Sequence, residues 1–459
     1  MCGGAGEPAA VQWLAMLERG ELSARELGEH YLERIRDEDP RLNAVVSLAP
    51  ETVLAQADAA DRARRAGDAR ALLGLPVTIK DSIDVAGLPC TGGSLARAGF
   101  VPERDATVVA RLREAGAVIL AKTNVPEYSS AYETDNLVHG RTNHPLDASR
   151  TPGGSSGGEA ALAAAGATPL GIGTDGGGSL RVPAHYCGVV GLRPSIGRVP
   201  DTGIWPSTRA SGYMDLFCVG PMARCTADIL LALRAISGPD GVDPVAVPAP
   251  LGDPEQVRID RLRIGMFADD PRLTVTPATL VALARAADAL ADAGADVIEV
   301  SAPWDDDPTQ LLFDCIAADG GAQARADLAG ARRHPLMQGL LDAVCAHAPL
   351  ARDWFATQAR VFSLRAAVRA LAHEVDALLC PVVAGPAPHH GEPPAGLPLQ
   401  SYGEYRAFDY VHLLALAGLP AASVPFGQQD GLPVGVQVSA APFREDLVLA
   451  VAGALEASR

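Results

Sequence analysis

The chain has 459 residues, of which 48% are apolar, and carries a net charge of −17, so it can bury a large core. The acidic balance argues against a nucleic-acid-binding surface, which needs a basic footprint. The eight cysteines show neither CxxC nor zinc-ligand spacing and are interpreted as reduced thiols of a cytoplasmic protein. The N-terminus lacks a basic region and no long apolar run follows, which predicts neither a secretory signal nor a transmembrane helix.

Two helices are predicted near the N-terminus. Ser23 and Glu26 have the spacing of a capping box, and the helix they begin is predicted to end at Asp39 and Pro40. An alanine-rich helix is predicted over 50–65. Residues 1–70 are therefore expected to form a helical cover on a core built by later residues.

The first α/β unit carries two candidate lysines. A strand is predicted over 75–81, a helix over 107–115 and a second strand over 117–121. Lys80 lies at the end of the first strand, and Lys122 follows the second. The residues before Lys80 are apolar and β-branched, which favours its burial over an ordinary surface position. Lys122 remains a competing candidate.

Residues 149–183 contain the most unusual stretch of the chain. Thirteen glycines fall between residues 151 and 200, where average composition gives about three or four. They cluster at 153–158, beside Ser155 and Ser156, and at 176–178, before Ser179. An alanine-rich helix over 159–165 and a strand over 169–173 are predicted between the clusters. Glycine lets several backbone N–H groups converge on one point, so the pattern indicates an anion pocket beside a nucleophilic serine.

The rest of the chain again alternates helices and strands. Residues 200–213 form a candidate lid, with Gly203 and Gly212 as hinges and Trp205 as an apolar plug. Residues 303–375 are predicted to be mainly helical, with Trp354, Phe355 and Phe362 as apolar anchors. The other predicted helices cover 226–237, 277–294 and 444–458, and the other predicted strands cover 263–267, 296–300, 377–383, 419–426 and 434–439.

Two familiar glycine motifs fit this stretch poorly. A phosphate-binding loop needs a lysine after its last glycine, whereas Glu159 and Leu180 follow here. Residues 153–157 match G-x-S-x-G, but a nucleophile elbow requires a strand directly before it, and residues 147–152 are loop-like. His373 and His412 lie downstream, although a lone histidine is usually structural.

The chain resembles the amidase signature family. GGSSGG at 153–158, the alanine-rich helix and GTDGGGSLRVPA at 173–184 follow that family's hallmark, and Ser155 and Ser179 are 24 residues apart. Further similar stretches lie at 76–81, 122–124, 187–194, 220–222, 417–420 and 431–435. The resemblance implies an α/β fold with a large twisted mixed sheet covered by helices on both faces. It also implies one amidase domain over 1–459, with a signature catalytic core at 71–240 and a variable helical substrate region at 303–375.

The resemblance also implies the site residues. Ser179 would be the nucleophile, Ser155 a bridging serine after a cis peptide bond, and Lys80 the base. Lysine accepts a proton only when it is neutral, which burial favours. The expected oxyanion hole is formed by the N–H groups of Gly176, Gly177, Gly178 and Ser179. Asp175 and Arg181 are expected to brace this loop, and Ser129, Ser130 and Tyr132 to line the acyl side of the pocket.

The expected activity is hydrolysis of neutral amides and anilides, with esterase and carbamate (urethane) hydrolysis, by a monomer or homodimer. No metal, organic cofactor, nucleic acid or membrane is expected to take part. A charged substrate would need a counter-charge such as Arg181, Arg198 or Arg209. The main alternative is the glutaminase subunit of a tRNA-dependent amidotransferase, which works only within a complex. A Ser-His-Asp α/β-hydrolase is a lesser alternative.

Overall fold

The computed structural model describes residues 7–207, 215–302, 305–345, 349–394 and 403–459. Within these ranges eleven strands form one sheet. They are β1 Val45–Ser47, β2 Pro76–Lys80, β3 Val118–Thr123, β4 Leu170–Asp175, β5 Val190–Arg193, β6 Cys218–Ala223, β7 Arg263–Met266, β8 Asp296–Glu299, β9 Ala377–Pro381, β10 Ala421–Gln429 and β11 Leu432–Ala440.

Fourteen α-helices lie within the same described ranges. They are α1 Ala10–Glu18, α2 Ala24–Leu42, α3 Pro50–Arg65, α4 Thr107–Glu114, α5 Gly157–Ala164, α6 Arg181–Cys187, α7 Thr226–Ile236, α8 Pro277–Asp292, α9 Pro308–Ile316, α10 Ala322–Asp327, α11 Pro335–Cys345, α12 Ala351–Leu371, α13 Asp409–Leu416 and α14 Glu445–Ala457. Across the same residues, no helix is both long and apolar enough to cross a membrane.

The sheet is mixed, and its strand order is β1-β3-β2-β4-β6-β5-β10-β11-β9-β7-β8. Parallel pairing joins β3, β2 and β4, and also β9, β7 and β8. The central strands from β4 to β9 pair antiparallel. The second glycine-rich loop, at 176–178, therefore follows β4 in the interior of the sheet, where both neighbouring strands fix the backbone.

Helices cover both faces of the sheet. Alternate residues of a strand point to opposite faces. In β9, Ala377 and Leu379 join the core cluster that includes α8 and α14, whereas Leu378 and Cys380 join the cluster that includes α9, α12 and α13. The predicted α/β fold, a large mixed sheet with helices on both faces, is thus confirmed.

Helix α2 runs further than its sequence predicts. Ser23 forms the expected capping box with Glu26, but the helix passes through Pro40 and ends at Leu42. A proline in the last turn removes only one backbone donor. The stop comes instead at Asn43, whose backbone is left-handed (φ 52°) and whose N–H bonds the Asp39 carbonyl at 2.7 Å. The short edge strand β1 that follows is not predicted from the sequence.

The region 303–375 is mainly helical in its described part, but two of its predicted anchors are wrong. Phe355 is 71% exposed and Phe362 is 63% exposed, while Trp354 is half-buried. Helix α12 packs through another face, formed by Thr357, Val361, Leu364 and Val368. The two phenylalanines are one heptad apart and share the outer face of the helix.

The described half of the candidate lid is fixed to the core. Trp205 N–H bonds the Ser82 carbonyl at 2.8 Å, and the Trp205 ring packs edge-on against Tyr128 with ring centroids 5.0 Å apart. Gly203 has φ 87°, and a Cβ there would lie 2.5 Å from the Ala106 Cα. Gly203 therefore permits a close approach of two backbones, and its predicted role as a hinge is wrong. Residues 208–213 of this segment, with Gly212, lie outside the described residues.

Candidate active site

Lys80 ends β2 and is fully buried. Its strand pairs with β3 on one side and β4 on the other, which places its backbone in the interior of the sheet. Lys80 Nζ lies 2.6 Å from Ser155 Oγ and 2.8 Å from Thr174 Oγ1. Burial lowers the pKa of Lys80 to about 7, against the opposing charges of Asp175 and Glu159. Near neutral pH a large fraction of this amine is therefore unprotonated and able to accept a proton.

Glu159 is a buried carboxyl group behind the Lys80 amine. It lies in α5 and accepts hydrogen bonds from Thr78 Oγ1 at 2.5 Å and Thr123 Oγ1 at 2.8 Å. Burial raises the pKa of Glu159 to about 7, against these two hydrogen bonds and the charge of Lys80. The site thus holds an amine and a carboxyl group that titrate close together and influence each other.

The first glycine cluster presents two serines in different ways. The peptide bond between Gly154 and Ser155 is cis, as the resemblance implies, and Ser155 Oγ points to Lys80. The Ser156 hydroxyl instead contacts the backbone of Thr174, at 3.3 Å from its carbonyl oxygen and 3.4 Å from its nitrogen. Ser156 N–H bonds the carbonyl of Ser179 at 3.1 Å and so joins the two glycine-rich loops.

Ser179 lies at the end of the second cluster and is partly exposed. Within the described residues, the N–H groups of Gly176, Gly177 and Ser179 have no hydrogen-bond partner. Gly178 N–H differs, because it donates to Asp175 Oδ1 at 2.7 Å. Its expected place in the oxyanion hole therefore does not fit this geometry. No hydrogen bond joins the Ser155 and Ser179 hydroxyls among the described residues.

Asp175 anchors the second glycine-rich loop, at 176–178, through hydrogen bonds. It accepts two hydrogen bonds of 3.0 Å from Arg181 and one of 3.2 Å from Leu180 N–H. Arg193, which the sequence reasoning missed, donates to the Asp175 carbonyl at 2.6 Å. All three charged side chains are fully buried. Burial opposes the charge on Asp175, but the two guanidinium groups hold the pKa of this carboxyl below its usual range.

A cleft opens at Ser179, and the expected acyl-side residues line it. Ser129 Oγ is buried there without a hydrogen-bond partner in the described part of the chain, and Ser130 Oγ donates to the Tyr128 carbonyl at 3.0 Å. Tyr132 donates to the Gly177 carbonyl at 2.5 Å. The cleft is also lined by apolar side chains, among them Phe217, Leu312, Phe313, Ile316, Met337, Leu340 and Leu341.

No lysine or arginine is found among the described residues that line the cleft. The one carboxylate in that described lining, Asp319, already accepts the N–H groups of Gly321 at 2.7 Å and Gln323 at 2.9 Å. Arg181 is committed to Asp175, and Arg198 is buried and paired with Glu445 at 2.9 Å. Neither is therefore available as the expected counter-charge, and Arg209 lies outside the described residues.

The competing lysine, Lys122, has different contacts from Lys80. Lys122 Nζ donates to the Ile83 carbonyl at 2.5 Å and lies 3.5 Å from Asp81 Oδ1, and among the described residues it forms no hydrogen bond with Ser155, Ser156 or Ser179. In the part of the chain that the structure describes, no group of three or more His, Cys, Asp or Glu side chains is arranged as metal ligands.

The amidase family model matches residues 26–449 of this chain. The chain belongs to the amidase signature family. It is therefore a hydrolase of C–N bonds that acts on amides. The match spans both glycine-rich loops, both candidate lysines and the helices around the cleft.

Several relatives cover this amidase almost completely. An indoleacetamide hydrolase of Bradyrhizobium diazoefficiens is 35% identical over 98% of this chain and 86% of its own length. A glutamyl-tRNA(Gln) amidotransferase subunit of Chromohalobacter salexigens is also 35% identical, over 95% of this chain and 94% of its own. The solved structure of a bacterial aryl acylamidase superposes with a TM-score of 0.89 at 27% identity, covering 98% of this chain and 96% of the other.

The sequence reasoning missed three polar residues beside the site. Thr174 contacts Lys80, and Arg193 contacts Asp175. His412, treated above as an ordinary structural histidine, lines the cleft and lies 2.6 Å from the Tyr132 hydroxyl. Thr174 and Arg193 lie in stretches that resemble the family, and this resemblance could have identified them as site residues. Nothing in the sequence connected His412 with the glycine-rich loops.

Proposed function

We propose that this amidase hydrolyses neutral small-molecule amides and anilides through an acyl-enzyme on Ser179. The observation that carries the proposal is the contact of 2.6 Å between the fully buried Lys80 amine and Ser155, on the loop joined to Ser179. A serine hydroxyl is a weak nucleophile until a base takes its proton. Neutral Lys80 supplies that base, and Ser155 passes the proton between the two groups.

The relay needs one contact that the described residues do not make, between the Ser155 and Ser179 hydroxyls. A serine hydroxyl moves by rotation about a single bond, and catalytic hydrogen bonds often tighten only when substrate binds. We therefore infer that substrate completes the relay. The Ser179 oxygen then attacks the carbonyl carbon, the amine leaves with the proton returned through Ser155, and water releases the acyl group by the same route.

The oxyanion of each tetrahedral intermediate is assigned to the N–H groups of Gly176, Gly177 and Ser179. These three donors have no hydrogen-bond partner in the described structure, so no internal hydrogen bond has to break when they bind the oxyanion. The Gly178 N–H has another role, since its bond to Asp175 anchors the loop. Arg181 and Arg193 then hold Asp175 in place.

The cleft supports neutral substrates with an aryl or alkyl group. Its described lining is mainly apolar and holds no cation, while the partner-less Ser129 hydroxyl can bind a polar atom. Helices α9, α10 and α11 supply much of this lining, which supports a substrate-binding role for the region 303–375. The names of the indoleacetamide hydrolase and the aryl acylamidase support the same substrate class.

A substrate panel tests this choice. We expect kcat/KM for a p-nitroanilide or an arylacetamide to exceed that for free glutamine by at least about 100-fold, or ~2.7 kcal/mol. The reason is that the glutamine α-carboxylate would enter an apolar cleft without a counter-charge. An aryl ester and an aryl carbamate belong in the panel, because both pass through the same oxyanion. Turnover of glutamine alone would contradict the proposal.

A glutaminase subunit of a tRNA-dependent amidotransferase is the second candidate. The 35% identity with the amidotransferase relative favours it, whereas the cation-free lining of the described cleft opposes it. It predicts glutamine turnover only with partner subunits. The first candidate predicts turnover of neutral amides by the purified chain as a monomer or homodimer.

We also propose a cytoplasmic location, supported by the buried free thiols of Cys90, Cys187, Cys218, Cys315 and Cys380.

Neutralising Glu159 is expected to shift the pH profile. Its charge raises the pKa of Lys80, so Glu159→Gln should lower that pKa and move the acidic limb of kcat to lower pH. The glutamine side chain still reaches Thr78 and Thr123, which preserves most packing. The measurement is kcat against pH for both proteins. Asp319→Asn is the matched control and should leave the limb in place; an acidic limb unmoved in Glu159→Gln would contradict Lys80 as the titrating base.

A further inference from the structure

Four polar side chains form a continuous hydrogen-bond chain that begins in the cleft lining, at Tyr132 and His412, and runs into the core. The Tyr132 hydroxyl lies 2.5 Å from the Gly177 carbonyl oxygen and 2.6 Å from His412 Nε2. On the other side of the ring, His412 Nδ1 lies 2.7 Å from Thr309 Oγ1, which lies 2.5 Å from Asp409 Oδ1. His412, Thr309 and Asp409 are buried, so water is excluded from the bonds among these three residues.

Counting protons along this chain fixes its direction. A carbonyl oxygen only accepts, so the single hydrogen of the Tyr132 hydroxyl goes to Gly177. The hydroxyl oxygen must then accept from His412 Nε2–H. In a neutral imidazole Nδ1 is bare and accepts from Thr309. Thr309 has thereby used its one hydrogen, and the remaining 2.5 Å contact requires Asp409 to donate as a carboxylic acid.

The alternative is a charged pair, with a doubly protonated His412 and an ionised Asp409. The surroundings oppose both charges. Burial, together with the charge of Arg181, lowers the pKa of His412 to about 3. Burial, together with the hydrogen bond and the charge of the neighbouring Asp270 carboxyl group, raises the pKa of Asp409 to about 8 against the hydrogen bond with Thr309. The neutral arrangement is therefore the stable one at neutral pH.

The charged groups that face this chain come from several elements. Arg272 Nη2 lies 3.7 Å from Asp409 Oδ2, but Arg272 is bonded to Asp270 at 3.0 Å and to the Asp306 carbonyl at 2.7 Å. Near Arg272, Asp307 pairs with Arg406 at 2.9 Å. On the side of His412 the charged groups are Arg181 and Asp175. The Arg272 guanidinium group is shared between Asp270 and Asp409, so it does not fully neutralise a negative charge on Asp409.

We propose that protonated Asp409 is a positioning residue, the donor end of a one-way hydrogen-bond chain that orients the oxyanion loop. The proposal rests on the function proposed above. The peptide between Gly177 and Gly178 is held at both ends, its carbonyl by Tyr132 at 2.5 Å and its N–H by Asp175 at 2.7 Å. Since a peptide group is planar, two such bonds fix its orientation and thereby aim the flanking N–H groups of Gly177 and Ser179.

Loss of the Asp409 proton reverses the chain. Thr309 then donates to Asp409, His412 donates to Thr309 through Nδ1, and Tyr132 donates to the bare His412 Nε2. The Gly177 carbonyl loses its donor, which frees one end of the oxyanion-loop peptide. Activity should therefore fall as pH rises through the range in which Asp409 ionises.

The test compares pH profiles of kcat for the full chain and three variants. In the wild type, kcat should fall above about pH 8. Asp409→Asn carries a permanent N–H donor, so it should retain at least half of the neutral-pH kcat and lose this alkaline limb. Thr309→Val breaks the chain and should lower kcat about tenfold with little change in KM, while Thr309→Ser should restore it. An alkaline limb that persists in Asp409→Asn, or a Thr309→Val enzyme with full kcat, would overturn the proposal.

A second measurement needs no substrate and separates this inference from the proposed function. Infrared difference spectra of wild type minus Asp409→Asn at pH 6.5 should show a carboxylic-acid C=O band that disappears at pH 9.5. Absence of that band at pH 6.5 would overturn the inference even in an active amidase. Its presence in a protein that turns over none of the panel would uphold the protonated Asp409 and reject the proposed substrates instead.

Discussion

Replacing Ser179 by alanine is expected to abolish turnover of the best substrate in the panel, by about 10⁴-fold or more in kcat. The loss follows because no covalent acyl-enzyme forms without the Ser179 oxygen. The fold should not change, since Ser179 is partly exposed and its hydroxyl has no hydrogen bond in the described structure. The measurement is kcat together with thermal unfolding, and the free energy of unfolding should stay within about 0.5 kcal/mol of the wild type.

The two neighbouring serines provide matched controls for this result. Ser155→Ala should also lower kcat severely, because it interrupts the path from Lys80. Ser156→Ala should keep most activity, since that hydroxyl makes only long contacts of 3.3 and 3.4 Å to the Thr174 backbone. Residual activity of more than a few per cent in Ser179→Ala would instead place the nucleophile elsewhere.

The sequence predicts the parts of the fold that local rules determine. The capping box of Ser23 and Glu26, the helix over 50–65 and the strand before Lys80 all follow from caps, periodicity and β-branched residues. The apolar, β-branched residues before Lys80 also favoured its burial, and the structure shows that it is fully buried. The order of the strands could not be predicted from the sequence, since pairing is set by tertiary packing, and only the structure gives it.

Side-chain networks between distant segments could not be predicted. Thr309 and Asp409 meet through packing of α9 on α13, and no local pattern joins either one to Tyr132. The exposed Phe355 shows the opposite error, because aromatic residues were assumed to be buried without regard to helix phase. Gly178 shows a third error. Its N–H group was expected to bind the oxyanion, but it donates a hydrogen bond to Asp175 instead. Each error concerns a partner that only the three-dimensional arrangement supplies.

The second large effect is expected from Lys80→Met. The amine forms hydrogen bonds only with the hydroxyls of Ser155 and Thr174 among the described residues, so its removal breaks no direct ion pair. The buried Glu159 loses only the charge of a neighbour and can compensate by taking up a proton. We expect kcat to fall about 10³-fold, within the range for loss of a general base, with little loss of stability.

Lys122 offers the matched control, because it is equally buried and lies on the adjacent strand β3. Lys122→Met should leave the buried Asp81 carboxylate without its cation and cost roughly 3 kcal/mol of stability, while the folded fraction keeps its kcat.

The pH profile separates the two lysines further. A base works when deprotonated, so the wild-type kcat should rise with pH through about 7, the pKa to which burial lowers Lys80. That rise should persist in Lys122→Met and vanish from the residual activity of Lys80→Met. Its survival in Lys80→Met would assign the proton transfer to a different group, with Glu159 the nearest one that titrates in the same range.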